Sequence, residues 1–271
     1  MSNAGGQQSL NADLIRNIMI PLPPLPEQRK IADILGTWDE AIALTTRLIA
    51  AKGQRKRGLM QQLLAGKRRF QKLGDTTWAI HKLSDIAEVD ARYISNNTES
   101  DFTFRYISLS DVNKGNVSTN LPLLKFGQAP VRARKLVRNQ DILLSTVRPN
   151  LQGFGMISDL AEQYVVSTGF AVISVKQGYS PQFVYQYLFS DQLMTQLNAL
   201  VVGSNYPSIN SSDVGNLQII CPPYEEQKHI AELFRLCDEE LRLLARKLAL
   251  LKQQKGGLMQ QLLTGKVRVT P

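Results

Sequence analysis

Cysteine, histidine and tryptophan are scarce, with two of each in 271 residues. Two cysteines, Cys221 and Cys237, make no disulfide framework, and a reducing, cytoplasmic setting is expected. His81 and His229 have no cysteine or histidine partners at ligand spacing, so no metal and no cofactor is expected. No apolar run is long enough to span a membrane, and no membrane partner is expected. No glycine-rich phosphate loop or dinucleotide fingerprint occurs; Gly153-Phe154-Gly155 alone is weak. Cys221-Pro222-Pro223-Tyr224 superficially resembles the Asn/Asp-Pro-Pro-Tyr motif of amino-methyltransferases. Its cysteine, however, is a poor hydrogen-bond partner for a target amine. Catalysis by this chain is therefore disfavoured.

What is present is a long internal repeat. Glu27-Gln28-Arg29-Lys30-Ile31 through Gly58-Leu59-Met60-Gln61-Gln62-Leu63-Leu64-Ala65-Gly66-Lys67 returns 199 residues later. There it runs from Glu226-Gln227-Lys228-His229-Ile230 through Gly257-Leu258-Met259-Gln260-Gln261-Leu262-Leu263-Thr264-Gly265-Lys266. The match is ungapped and reaches upstream to Pro23-Pro24 and Pro222-Pro223. Proline stops at each entrance, an acidic residue stands in each first turn, and glycine followed by lysine marks each end. Those are the signals of a helix start and stop. Residues 27–67 and 226–266 are thus predicted as two long helices, each about 55–60 Å at 1.5 Å per residue.

The second copy carries an apolar seam at 3–4 spacing: Ile230, Phe234, Cys237, Leu241, Leu244, Leu248, Leu251, then Lys255, Leu258 and Leu262. The first copy follows the same frame with Lys52 and Lys56 interrupting it. A narrow seam on a long helix needs a partner. The other copy, packed antiparallel, is the nearest one, giving a coiled-coil-like stalk.

The chain between the helices has another texture. Phe102 to Leu109 alternates as a strand does, Asp111 to Asn116 reads as a turn, and Asp141 to Val147 as a buried strand. Tyr164 to Val175 holds one or two more strands. Pro181 to Leu200 has helical spacing, and Val214 to Ile220 is a closing strand. Residues 76–222 therefore form one mixed α/β domain, and the whole is α+β. Residues 5–26 match 204–225, the end of that domain, and residues 1–26 are read as its stub; Leu14 to Ile20 reads as a terminal strand whose home domain is missing.

Charge is uneven. Residues 1–75 carry 12 Lys/Arg against 6 Asp/Glu, residues 76–222 carry 11 against 11, and residues 223–271 carry 9 against 6. Anion binding in the middle domain must come from local clusters. The densest holds Lys125, Arg132, Arg134, Lys135 and Arg138; a second holds Arg148, Asn150 and Gln152; a third is Ser204, Asn205 and Tyr206. Arginine, asparagine and glutamine read base edges, while lysine and serine hold phosphates.

Together these features resemble the specificity subunit of type I restriction–modification enzymes. The resemblance is carried by Pro-Pro-x-x-Glu-Gln-(Arg/Lys)-x-Ile-Ala at 23–32 and 222–231 and by Gly-Leu-Met-Gln-Gln-Leu-Leu-x-Gly-Lys at both helix ends. Residues 82–89, 203–210 and 216–219 also resemble the opening and close of that family's target-recognition domain. The resemblance implies a non-catalytic reader of double-stranded DNA, each recognition domain taking one half of a bipartite site. Methyltransferase and restriction subunits would supply the chemistry. Glu27, Gln28, Glu226 and Gln227, in the first helical turns, become candidates for the methyltransferase interface. With one complete recognition domain, pairing of two copies through their helices is a further expectation. A coiled-coil adaptor or spacer that binds another protein is the competing reading.

Overall fold

A computed structural model describes residues 15–70, 77–118, 120–158, 163–201 and 207–270. They fall into two compact units, one of residues up to 53 with those from 240 onward, the other of residues 54–239. The long helices α1 (Leu25–Leu63) and α6 (Tyr224–Leu263) run through both.

The helix ends repeat as the sequence does. Gly66 and Gly265 take left-handed φ of 69° and 71°. Leu63 and Leu262 accept from their amides, while Arg68 and Val267 donate back to Gln62 and Gln261. Glycine enters that conformation without a Cβ clash, which is why it stops the helix there. At the entrances, the Gln28 and Gln227 side chains each donate to the carbonyl five residues back, Pro23 at 2.7 Å and Pro222 at 2.9 Å.

In the first unit the helices are antiparallel: Lys52 meets Glu240 at 2.6 Å and Lys255 meets Asp39 at 2.5 Å. In the second unit, Lys56 meets Asp238 at 2.5 Å. The three lysines that interrupt the apolar seam are thus the ones that pair across it. Their aliphatic stems lie along the seam and their ammonium groups reach acidic partners at its edge. Exposed pairs of this kind contribute about 0–1 kcal/mol each, so they set register more than stability.

Of the strand expected at Leu14 to Ile20, Leu14 lies outside the described residues and residues 15–20 do not form it. Ile15 and Arg16 make a helical turn and residues 18–24 carry no regular structure. Their repeat twins include strand β12 (Gln218–Cys221), which is paired antiparallel with β1 (Ala79–Lys82). Among the described residues nothing pairs with 18–22, and an isolated strand leaves its backbone groups unsatisfied. The contrast in burial is large: Ile18 and Ile20 are 61% and 71% exposed, whereas their twins Leu217 and Ile219 are 2% and 0% exposed.

The second unit is built on two four-stranded sheets. The first has order β6 (Leu123–Lys125), β3 (Thr103–Ile107), β10 (Tyr164–Ser167), β7 (Ala133–Leu136), with β10 parallel to β3. The second has order β2 (Ala87–Val89), β11 (Phe170–Val175), β8 (Ile142–Ser145), β9 (Phe154–Met156), all antiparallel. A separate hairpin joins β4 (Val112–Asn113) to β5 (Asn116–Val117).

Burial alternates along the strands between distinct cores. In β8, Leu143 faces a core with Val166, Phe170 and Val172, while Ile142 and Leu144 face another with Ala171, Ile173 and Phe183. In β10, Val165 turns away from Val166 into a third cluster with Phe104 and Ile94. Both faces of each sheet are therefore covered, which is why residues 142–144 read as a continuous apolar run rather than an alternating one. The largest core is closed by helices: α2 (Leu83–Ile86), α3 (Pro181–Tyr187), α4 (Asp191–Leu200) and α5 (Ser211–Gly215). Met60, Leu63 and Leu64 of α1 and Ile230 and Phe234 of α6 complete it.

The helical stretch 181–200 is two helices, because Ser190 leaves helical geometry and accepts from the Leu193 amide as an N-cap. Likewise Val214, expected in a strand, lies in α5, whose start is capped by Asn210 accepting from Asp213 at 2.8 Å.

Candidate nucleic-acid interface

The basic residues are sorted by strand register. The turn Thr168–Gly169 carries the chain from β10 in one sheet to β11 in the other. Arg132, just before β7, accepts from the Thr168 amide at 2.9 Å through its carbonyl. Thr146, just after β8, donates from both its amide and its hydroxyl to the Gly169 carbonyl. Arg132 and the loop after β8 are thereby brought to one end of the two sheets, though 16 positions apart in sequence.

That loop, Val147 to Gly153, is tightly specified. Val147 bridges Ser208, and the Arg148 amide donates to the Pro207 carbonyl at 2.8 Å. Arg148 and Gln152 flank a single 3-10 turn, Pro149–Leu151, and both adopt left-handed φ, 48° and 57°. Neither is glycine, so each carries a backbone cost, and such conformations persist where the surroundings over-determine them. Pro149 is buried and anchors the turn; Arg148 and Asn150 are exposed on its outside. Ser204, Asn205 and Tyr206 lie outside the described residues; Pro207, which follows them, is held on this same loop.

The remaining members of the basic set go elsewhere. Lys125 ends β6 opposite Thr103, at the start of β3, whereas β10 ends beside Ile107 at the other end of that strand. Lys125 is thus at the opposite end of the sheet from Arg132, and so is Arg138, which lies beyond the Leu136–Val165 pairing. Arg134 stands over the Phe126 ring at 5.3 Å and donates to the Val131 carbonyl at 3.1 Å.

Lys135 corrects the sequence reading outright. Strand alternation turns it inward, where it is 5% exposed. Its ammonium sits 2.7 Å from Asp90 and donates to the Phe170 carbonyl. Asp90 also accepts from the Val172 amide at 2.8 Å and from the Ser211 hydroxyl. The pair ties β7 of one sheet to β11 of the other, and the Lys135 ammonium is turned into the domain rather than to its surface.

The helix-start residues are likewise engaged within the chain. Glu226 is fully buried, accepting from Arg69 at 2.8 Å and from the Trp78 indole at 3.1 Å. Gln227, also buried, accepts from the Ser180 amide as well as donating to Pro222. Glu27 is held by Arg268 at 2.6 Å and by the Val269 amide; Gln28 is turned onto Pro23. These side chains are thus hydrogen-bonded within the chain.

The two clamps are themselves a repeat: Arg69 and Arg268 stand 199 residues apart, as Glu27 and Glu226 do. Each arginine follows the end of one helix and grips the start of the other. The offset was readable in the sequence and would have found the pairing, since an equal spacing shared by an acid and a base marks a duplicated contact.

Cys221 is buried, and burial pushes its thiol up to about 12, so it is held neutral and unreactive. Among the described residues no group of three or more histidine, cysteine or acidic side chains is placed to hold a metal, and no helix is long and apolar enough to cross a membrane.

A two-sheet domain with a duplicated antiparallel helix pair defines the architectural class of the chain. The chain is a member of the type I restriction modification DNA specificity domain family, whose profile matches residues 1–51 and 75–253. It is 26% identical to the type I restriction enzyme MjaVIII specificity subunit of Methanocaldococcus jannaschii over 97% of its own length and 65% of that protein's. It is 28% identical to the putative MjaX specificity subunit of the same organism, over 98% and 63%. Among solved structures, the HsdS subunit from Thermoanaerobacter tengcongensis superposes with a TM-score of 0.56 at 27% identity, covering 68% of this chain and 48% of that one. The chain thus spans about two thirds of the length of these curated relatives.

Proposed function

We propose that this chain is the non-catalytic DNA-reading part of a type I restriction–modification complex. Residues 77–222 read one half of a bipartite double-stranded site, and methyltransferase and restriction subunits bound to it carry out the chemistry. The observation that supports this most is the loop 147–153. Its left-handed Arg148 and Gln152 hold an exposed arginine and asparagine on a rigid turn. Arg132 stands at the same end of the sheets. The reading face is accordingly narrowed to Arg132, Arg148, Asn150 and Gln152, with Ser204–Tyr206 adjoining in sequence.

Arg148→Ala is expected to lose discrimination at one base position, about 1–3 kcal/mol for a bidentate arginine–guanine contact, while non-specific binding persists. Binding competitions between duplexes differing at one base pair measure it. Uniform weakening across sequences would mark a phosphate contact instead. Wild-type affinity that does not fall with added salt would favour the adaptor reading.

The helices are proposed to join the reader to its partner subunits. With the helix-start glutamates and glutamines satisfied internally, the surface left for contact includes Leu44, Leu48, Leu243 and Leu250, all about half exposed. Two copies pairing through their helices would give a symmetric reader of both half-sites. Light scattering of the DNA-bound chain is expected to give the mass of two chains plus one duplex, and one chain per duplex at high concentration would exclude this assembly.

A further inference from the structure

The hairpin tip Asn113-Lys114-Gly115-Asn116 has so far served only as a turn. It is held against the Arg148 loop. The Lys114 amide donates to the Gln152 carbonyl at 3.2 Å, and the Gly115 amide donates to Phe154, next along, at 2.9 Å. From the other side the Tyr185 hydroxyl reaches the Gly115 carbonyl at 3.4 Å. Underneath, Val112 is buried in the core between the sheets. Gly155 leaves no room for movement, since a Cβ there would stand 2.4 Å from Val117. The tip is a fixed feature of the same end of the domain, not a loose loop.

Its conformation runs against its sequence. Lys114 and Gly115 are successive left-handed residues, φ 43° and 93°. The first place of such a two-residue turn suits asparagine, aspartate or glycine, and lysine is strained there. The side chain so displayed is exposed, and among the described residues its ammonium has no ion-pair partner. Asn113 and Asn116 are directly paired across the hairpin, so both project from one face, and both are exposed.

A two-stranded ribbon fits the DNA major groove, asparagine pairs with the N6 and N7 edge of adenine, and lysine reaches O6 and N7 of guanine. We propose that this hairpin is a second reading finger beside the Arg148 loop, Asn113 and Asn116 recognising adenine and Lys114 a neighbouring guanine. The assignment rests on the DNA-reading function above and extends it to residues outside the basic clusters.

The test is selection of bound duplexes from a randomised pool by the full chain, followed by sequencing. The variants are N113A/N116A and, separately, K114A. The asparagine pair is expected to lose about tenfold to a hundredfold preference at one or two adjacent positions, with the rest of the profile intact. K114A is expected to relax a guanine next to them. Unchanged melting of both variants confirms that the fold is retained. An unchanged profile, or equal weakening on every sequence, overturns the hairpin assignment while leaving the reader intact. A wild-type chain that enriches no sequence removes the reader itself, and the finger with it.

Discussion

Lys135→Ala is expected to destabilise the two-sheet unit by about 3–5 kcal/mol, the usual cost of stranding one partner of a buried ion pair. Asp90 would remain 9% exposed with its carboxylate facing the vacated space. The Val172 amide and Ser211 hydroxyl still bond to it, but neither supplies a countercharge. Against a typical domain stability of 5–15 kcal/mol this is a large fraction. Urea unfolding followed by tryptophan fluorescence would show it as a lower midpoint. Removing both charges with Asp90→Asn and Lys135→Met is expected to recover much of the loss, because the desolvation penalty disappears with them. An unfolding curve identical to wild type would return Lys135 to the surface and to the list of DNA contacts.

Arg69→Ala and Arg268→Ala test the duplicated clamps, and unequal results are expected. Glu226 is wholly buried, and among the described residues its side chain without Arg69 keeps the Trp78 indole alone; a loss of about 3 kcal/mol is expected. Arg268 is itself 66% exposed in its side chain, so that clamp sits nearer solvent and its loss is expected to be smaller. The Arg268 side chain, with the Val269 amide, holds the Glu27 carboxyl below its ordinary range. This contribution is therefore complete above the ordinary carboxylate range and fades as pH falls through the lowered value. Thermal melts of wild type and Arg268→Ala should converge on acidification. Curves that stay apart at low pH would show that Glu27 is not the group involved. Equal losses from the two arginines at neutral pH would contradict the difference in burial.

The legible part of this protein was periodic. The two long helices followed from proline, glycine and charge, all of which act within a turn or two of chain, although they run Leu25–Leu63 and Tyr224–Leu263 rather than over 27–67 and 226–266. The buried strand at 142–144 was likewise readable, since three consecutive apolar residues leave a strand no solvent face. Local signals failed where a choice depended on a neighbour. Residues 15–20 carry the residues of a strand, but among the described residues no strand pairs with them. Val214 has a strand former's side chain but sits behind an asparagine cap.

The candidate site divided in the same manner. Arg148 and Asn150 were identified from residue type and do stand exposed together. Lys135 was grouped with its basic neighbours because charge density along the chain says nothing of which face of β7 a side chain takes. Glu226 and Gln227 were read as interface candidates, and nothing local in the sequence shows that Arg69, Trp78 and Ser180 converge on them.

By itself, then, the sequence determined that a duplicated helix pair brackets a mixed domain, because repetition and helical period are properties of neighbouring residues. Only the tertiary structure decided which charges face solvent and which hold the fold. Burial and ion pairing are made by residues tens to hundreds of positions apart, and strand register alone brings Arg132 and Arg148 to one end while sending Lys125 and Arg138 to the other.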